Sequence, residues 1–352
     1  MSCVSETSLL RVGVVGAGGI AAAHLESLSQ QVGARAVAIA DVNEELARER
    51  AERFGIAAVY ADYRELVANP EVDAVLVCVP NYLHAPVAIA ALTAGKHVFC
   101  EKPMATSVDE AREMVEAAKA HQRVLMLGQH YRYLGEVRKV KELIAQGALG
   151  RIYFAKAGWM RRQGIPGWGS WFTQKERAGG GCLIDIGVHM LDVAWYLMGS
   201  PPPDSVLGAT FAAFGPEKRG LGSWGVRDEA GHFDVEDLAS AVVRFKTGSA
   251  LTVDVSWAAH HPDRMWLYLL GERGGVSLFD RPLTVYTEEG GQLREWQPEV
   301  SRDDVRPHLL RHFVYCCRTG ARPISPGEEG LEVTRMLQAI YESAKSGRSV
   351  SL

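Results

Sequence analysis

The segment that decides the fold lies near the start of the chain and reads Leu10-Arg-Val-Gly-Val-Val-Gly-Ala-Gly-Gly-Ile-Ala21. Its first six residues form a short, largely apolar run, which is typical of a buried strand. The run continues directly into the pattern GxGxxA, in which Gly16 would make a tight turn and Gly18 would let the backbone approach a pyrophosphate. The segment therefore predicts a strand, a dinucleotide-binding turn and the start of a helix, although three glycines can also make a turn that binds nothing.

The same alternation continues through the first 130 residues. Apolar runs lie at 36–40, 74–79, 97–100 and 124–127, and amphipathic segments such as 43–54 separate them. Strands that alternate with helices at this spacing predict an α/β fold with a doubly wound parallel sheet. We therefore predict a Rossmann domain over residues 1–130.

Asp41 ends the second apolar run, 25 residues after Gly16. A carboxylate at this place binds the ribose hydroxyls of a dinucleotide. It would also repel a 2′-phosphate, and its neighbours Val42 and Asn43 supply no cation, so we predict NAD rather than NADP as the cofactor. The alternative is that Asp41 only caps the next helix, a role that Asn43 could also fill.

Composition and charge narrow the functional class. The chain has 352 residues, of which 47% are hydrophobic and 23% charged, as in ordinary globular proteins of two domains. A net charge of −4 gives no reason to expect nucleic acid or an anionic membrane as a partner. No apolar run is long enough to span a membrane, and the segment 9–23, which imitates a signal peptide, contains Arg11 and lacks a basic start. The six cysteines include no CxxC pair, which favours reduced thiols and a cytoplasmic protein.

The second half of the chain is richer in strands. Alternating segments lie at 150–160, 239–245, 250–256, 265–270 and 275–279, with glycine-containing turns between them. This pattern predicts an α+β domain with an open, mainly antiparallel sheet over residues 131–352. We expect a final helix over residues 328–346, which could pack against the first domain.

Two separated motifs resemble those of one enzyme family. The first is Val79-Pro-Asn-Tyr-Leu-His84 followed by Ala94-Gly-Lys-His-Val-Phe-Cys-Glu-Lys-Pro103, and the second is Gly179-Gly-Gly-Cys-Leu-Ile-Asp-Ile-Gly-Val-His-Met-Leu-Asp192. They resemble the glucose–fructose oxidoreductase, inositol dehydrogenase and MocA (Gfo/Idh/MocA) family over nearly the whole chain. The resemblance implies an NAD(P)-dependent oxidoreductase that assembles, as a homodimer or homotetramer, through the sheet of its C-terminal domain. It also implies a cis peptide between Lys102 and Pro103.

Lys102 is the first candidate catalytic residue. A lysine at the carboxyl end of a parallel strand points into the crevice where nucleotide folds bind ligands, and its amine can exchange a proton with a substrate hydroxyl. The alternative from spacing alone is a surface lysine paired with Glu101, and the family resemblance favours the catalytic role. The predicted cofactor contacts are Gly16, Gly18, Gly19, Ile20, Asp41, Val79, Pro80, Asn81, His84, Glu101, Lys102 and Gln129.

Asp185, His189 and Asp192 follow the helical spacing i, i+4 and i+7, which places them on one helix face, with apolar residues such as Trp195 opposite. A histidine beside a carboxylate can carry a proton, so we predict catalytic roles for His189 and Asp185, with Asp185 orienting the imidazole. Two alternatives are a metal face, which would need further ligands, and a merely structural histidine. We predict no metal.

The predicted substrate contacts surround these residues. The loop before Gly179 is rich in glycine and carries arginine and tryptophan side chains, which bind hydroxyls and stack on sugar rings, although the tryptophans could instead pack the loop down. His130 follows the last predicted strand of the first domain, where the family often has Asn. The full set is Lys102, His130, Arg161, Trp168, Trp171, Asp185 and His189.

The sequence thus predicts an oxidoreductase that transfers hydride between NAD and a secondary alcohol of a sugar, sugar derivative or cyclitol. The substrate carbinol is expected to lie between the nicotinamide, Lys102 and His189, and either residue could be the formal base. Two other classes stay open: an NAD-recycling, glycosidase-like enzyme of the same family, and a regulator that binds NAD without catalysis.

Overall fold

The computed structural model describes residues 9–301 and 304–352, which divide into two compact units. The first unit contains residues 9–130 and 304–331, and the second contains residues 131–301 and 332–352. The final helix, Gly327–Ser346, begins among residues of the first unit and ends among those of the second. Within the described part of the chain, we find no helix with both the length and the apolar character that a bilayer crossing requires.

The first unit is built on a six-stranded parallel sheet in the order β3-β2-β1-β4-β5-β6. This order, with the reversal at β1, is the dinucleotide-binding arrangement, so the predicted Rossmann fold is confirmed. The strands are β1 (Leu10–Val15), β2 (Ala34–Ala40), β3 (Ala58–Tyr60), β4 (Ala74–Val77), β5 (His97–Cys100) and β6 (Leu125–Leu127). The helices are α1 (Gly19–Ser29), α2 (Glu44–Phe54), α3 (Tyr63–Ala68), α4 (His84–Thr93) and α5 (Val108–Ala120).

Local sequence explains where these elements begin and end. Asn43 caps α2 by accepting the N–H of Leu46, and Gly55 ends the helix in the left-handed conformation at φ +66°. Ser107 and Glu110 form a capping box at the start of α5.

The second unit contains a nine-stranded sheet in the order β14-β13-β12-β11-β7-β10-β9-β8-β15. Neighbouring strands are antiparallel except β7 and β10, so the predicted mainly antiparallel sheet is confirmed. The strands are β7 (Ile152–Met160), β8 (Pro203–Phe211), β9 (Leu238–Phe245), β10 (Ala250–Ser256), β11 (Arg264–Gly271), β12 (Gly274–Leu278), β13 (Thr284–Glu289), β14 (Gln292–Trp296) and β15 (Val350–Ser351). The remaining helices are α6 (Gly135–Ala145), α7 (Lys175–Ala178), α8 (Val188–Leu197), α9 (Val305–Thr319), which belongs to the first unit, and α10 (Gly327–Ser346).

The two faces of this sheet differ in burial. Helix α8 packs against β7, β10 and β11, and inward residues such as Leu251 and Val255 are fully buried. Residues that alternate with the buried ones expose large apolar side chains, among them Leu207, Val242 and Leu270. The strand period of two therefore gives one face to the core and leaves several large apolar side chains exposed on the other, among polar ones such as Lys156 and Arg244.

Candidate functional site

The glycine turn between β1 and α1 has the shape that a pyrophosphate requires. Gly16 has φ +100°, and a Cβ there would lie 2.2 Å from the carbonyl oxygen of Cys78, so only glycine fits. At Gly18 and Gly19, by contrast, a Cβ would meet no described atom within 4 Å. This space opens beside the N-terminus of α1, where free N–H groups and the helix dipole favour phosphate. The turn therefore fits a bound dinucleotide, and the side chain of Ile20 lies partly exposed next to it.

Asp41 holds the glycine turn in place. Its Oδ2 accepts the N–H of Ala17 at 2.7 Å, and its Oδ1 accepts the N–H of Asn43 at 2.8 Å. Since the side chain of Asn43 caps α2, Asp41 is not the cap. The sequence analysis missed one cation here: Nε of Arg50 donates to the carbonyl oxygen of Ala17 at 3.3 Å. Arg50 lies on α2, two helical turns after Val42 and Asn43, and only the direction of this helix brings its side chain back to the glycine turn.

Glu101 lies beneath the main chain of Lys102 and is buried. Its Oε1 lies 2.6 Å from Nε2 of the buried His24, and its Oε2 accepts the N–H of Lys102 at 3.1 Å. Burial alone would raise the pKa of Glu101, but the hydrogen bond and charge of His24, with smaller contributions from His130 and Lys102, lower it to about 2. The carboxylate is therefore ionised and bound to His24.

Lys102 lies two residues after the end of β5, and its peptide bond to Pro103 is cis, as the family resemblance implied. The ring nitrogens of His84 lie 2.6 Å from the carbonyl oxygen of Pro103 and 2.9 Å from that of Val79. Burial lowers the pKa of His84. His84 therefore connects the chain after β4, including Pro80 and the buried Asn81, to the chain around Lys102.

Gln129 and His130 follow β6. Gln129 is buried, and its Oε1 has no hydrogen-bond partner among the described residues. A buried acceptor of this kind costs free energy unless a ligand donor reaches it, which fits a group such as the nicotinamide amide. Burial lowers the pKa of His130 to about 4, so this imidazole is neutral near pH 7.

The helix that carries Asp185 and His189 is not regular. Residues Leu183–Gly187 form a π-helical turn, and α8 begins only at Val188. The prediction of one continuous α-helical face is therefore wrong, because the wider turn shifts Asp185 from its i, i+4 position. Asp185, His189, Asp192 and Trp195 are all buried, so both the polar and the apolar residues of this segment lie inside the second unit. Such π-turns occur often at functional sites.

The two aspartates of this helix have different partners. The Oδ2 of Asp185 accepts the indole N–H of Trp257 at 2.9 Å. Asp192 forms a bidentate ion pair with Arg132, at 2.9 Å from Nε and 2.7 Å from Nη2. The ring of His189 lies 5.0 Å from that of Tyr131, measured between centroids. Across residues 9–301 and 304–352, no three His, Cys, Asp or Glu side chains are grouped as a metal site would need.

The loop before Gly179 uses its aromatic residues in different ways. Trp168 is buried and donates its indole N–H to the carbonyl oxygen of Gly215 at 2.7 Å. Trp171 stacks on Phe172 with ring centroids 3.7 Å apart. The guanidinium of Arg161 lies 4.3 Å from the ring centroid of Trp159. Trp168 thus packs the loop onto the rest of the second unit.

Comparison with known proteins agrees with this geometry. A family model described as an oxidoreductase family with an NAD-binding Rossmann fold matches residues 10–129, and a GFO/IDH/MocA C-terminal domain matches residues 137–277. The chain is 35% identical to D-glucoside 3-dehydrogenase of Escherichia coli, over the full length of both proteins. It is 30% identical to myo-inositol 2-dehydrogenase of Thermotoga maritima, covering 97% of this chain and 98% of the relative. A levoglucosan dehydrogenase solved with NADH and levoglucosan matches with a TM-score of 0.86 and 26% identity, covering 98% of this chain and 99% of that one. The predicted NAD cofactor and oxidoreductase class are confirmed.

Proposed function

The chain belongs to the Gfo/Idh/MocA family of NAD-binding oxidoreductases, and we propose that it interconverts a secondary alcohol and a ketone on a sugar, sugar derivative or cyclitol. One observation carries the proposal: the first unit contains a dinucleotide turn with Asp41 and Lys102, and the second contains Asp185 on a π-turn and His189 on α8. Relatives named for glucoside, inositol and levoglucosan oxidation support this substrate class.

The residues of the first unit would hold the cofactor. The N–H groups after Gly18 would bind the pyrophosphate, Asp41 the ribose hydroxyls, and Oε1 of Gln129 a donor of the nicotinamide amide. When bound, NAD supplies the hydride acceptor at the carbinol carbon. The ionised Glu101 holds the main chain of Lys102 through its N–H, which fixes the base of that side chain.

The chain itself must remove the hydroxyl proton. We assign this to Lys102 and His189, with Asp185 orienting the imidazole, because amine and imidazole groups both serve as general acids and bases in enzymes. His130, Arg161, Trp168 and Trp171 are assigned to the substrate side. Since Trp168 is buried with its N–H bonded inside the chain, we expect it to act by shaping the loop.

The test is a panel of methyl D-glucosides, myo-inositol and levoglucosan, followed by nicotinamide absorbance and by product analysis. Lys102→Ala and His189→Ala should each lower kcat by about 10²–10⁴, the usual contribution of acid–base catalysis. The Kd for NAD should change little, which also shows that the variants are folded. Wild-type turnover in folded His189→Ala would overturn the proton relay. Free sugar released from the glucosides without net NADH would favour the glycosidase-like class, and NAD binding without turnover on any compound would favour a regulator.

We also propose a cytoplasmic homodimer or homotetramer that binds neither nucleic acid nor membranes. The exposed apolar side chains on the outer face of the second sheet, among them Leu207 and Val242, support assembly through that face. All five described cysteines are free thiols, which fits a reducing compartment. Sedimentation of wild type and Val242→Lys tests the interface: the variant should sediment as a smaller species, and an unchanged oligomer would exclude this surface.

A further inference from the structure

Trp257 follows β10 and is fully buried in the second unit. Its main-chain N–H donates to the carbonyl oxygen of Asp237 at 2.8 Å, which fixes the backbone at this point. Its indole N–H donates to Oδ2 of Asp185 at 2.9 Å. A hydrogen bond to an ionised carboxylate in a buried site is among the stronger kinds in proteins. The bond sets both side-chain torsions of Asp185, because it fixes where one carboxylate oxygen lies.

The turn that carries Asp185 is also held from the other side. The buried carboxylate of Glu236 accepts the N–H groups of Gly181 and Leu183, each at 2.9 Å, and the hydroxyl of Tyr341 at 2.9 Å. The carbonyl oxygen of Glu236 accepts the N–H of Cys182 at 3.1 Å. The packing is close, since a Cβ on Gly181 would lie 1.9 Å from that carbonyl oxygen. The backbone entering the π-turn therefore has little freedom.

With the backbone fixed by Glu236, the remaining freedom of Asp185 is its side-chain rotation. We propose that Trp257 is a positioning residue that holds the Asp185 carboxylate in the orientation from which it acts on His189. The proposal rests on the proposed roles of Asp185 and His189. Trp257 itself touches no reacting atom in this scheme. Its contribution should appear in kcat rather than in the affinity for NAD, whose predicted contacts lie in the first unit.

The matched pair for the test is Trp257→Phe and Trp195→Phe. Trp195 is equally buried in the same unit, and its indole N–H donates to the carbonyl oxygen of Pro201 at 2.8 Å. Each substitution removes one bonded indole N–H and a similar volume, so both should lower the urea midpoint. We expect Trp257→Phe to lower kcat at least tenfold on the best of the three panel compounds, with the Kd for NAD within twofold of wild type. Trp195→Phe should keep kcat within twofold.

A double-mutant cycle separates positioning from general destabilisation. Asp185→Asn alone should lower kcat, and adding Trp257→Phe should then cost less than threefold more, because residues that act as a unit are not additive. If Trp257→Phe does not fold, 3-benzothienylalanine at position 257 replaces the N–H by sulfur at nearly constant volume and should give the same loss of kcat.

The outcomes distinguish the two levels of the proposal. If Asp185→Asn keeps wild-type turnover, the proposed role of Asp185 fails. If Asp185→Asn loses activity while the Trp257 variants keep kcat within twofold, only the positioning role fails. Losses at Trp257 that multiply fully with those at Asp185 would also overturn it, since they would show independent action.

Discussion

Replacing Asp192 by Asn should lower the free energy of unfolding of the second unit by about 3–5 kcal/mol. The side chains of Asp192 and Arg132 are each only 1% exposed, and two hydrogen bonds of 2.9 and 2.7 Å join them. The guanidinium also lies 4.5 Å from the ring centroid of Tyr196. Loss of the carboxylate charge removes the bidentate partner of the buried Arg132 cation, and the cost of keeping that cation out of water without this partner sets the magnitude. It is a large fraction of the ~5–15 kcal/mol that stabilises a typical domain.

Tryptophan fluorescence isolates the relevant unit. All eight tryptophans lie between positions 159 and 296, so the signal reports on the second unit alone. At a urea m-value of about 3 kcal/mol/M, the expected loss shifts the midpoint by more than about 1 M. The control is Glu272→Gln, which breaks the exposed Arg151–Glu272 pair of the same unit, at 2.9 Å, and should cost less than about 1 kcal/mol.

The double variant Arg132→Met/Asp192→Leu tests the cause. Because it removes both charges and fills similar volume, it should be more stable than Asp192→Asn. A midpoint for Asp192→Asn no lower than that of the Glu272 control would refute the reasoning. A double variant less stable than the single one would show that the pair itself is strongly stabilising.

Three further outcomes are expected. The kcat/KM with NAD should exceed that with NADP. Asp41→Ser should reduce this preference for NAD, and adding Arg50→Gln to the Asp41→Ser variant should restore it. A wild-type preference for NADP would contradict the assignment of NAD. Gly16→Ala should lower the thermal midpoint and abolish NAD binding, since its Cβ would lie 2.2 Å from a main-chain oxygen. Gly18→Ala should fold normally and only weaken NAD binding, with both affinities measured by calorimetry. The first unit should lose stability as pH falls from 6.5 to 4, because the unfolded chain protonates His130 in this window while the folded one, with a pKa of about 4, does not. His130 should contribute about 2 kcal/mol to the loss between pH 7.5 and 5, and His97, whose pKa burial also lowers to about 4, should add to it. Far-UV circular dichroism in urea should show a smaller loss in His130→Asn, and an unchanged loss in that variant would exclude His130 as a source.

The features that the sequence predicted well are those with local causes. The steric demand on Gly16 and the strand before it are encoded within ten residues, so the Rossmann turn could be found from the pattern alone. The position of Lys102 after a strand could be predicted because it follows an apolar run of strand length, whereas its catalytic role rests on the family resemblance and stays a prediction. The π-turn at 183–187 could not be found, since a helical period of 3.6 describes α-helices and gives no signal for one wider turn.

Contacts between distant positions account for most of what was missed. His24 and Glu101 are 77 residues apart, and Asp185 and Trp257 are 72 residues apart. Arg50 shows the same limit at shorter range, because the direction of α2 decides that it reaches the glycine turn. Residue type and spacing indicate which side chains could act as acids, bases or ligands. The fold decides which partners each of these side chains has, and therefore whether it is able to act.

The two aspartates of the π-turn and α8 show how partners separate roles that look equal in sequence. Asp192 gives both carboxylate oxygens to a fixed cation in a bidentate pair, so its charge is balanced and its geometry is set by Arg132. Trp257 gives Asp185 a neutral donor on Oδ2, which orients one carboxylate oxygen without supplying a positive charge. A carboxylate that must orient an imidazole and stabilise its protonated form has to keep its negative charge. In the proposed scheme, Asp192 therefore serves stability and Asp185 serves the proton relay, although their spacing places both on one helix face.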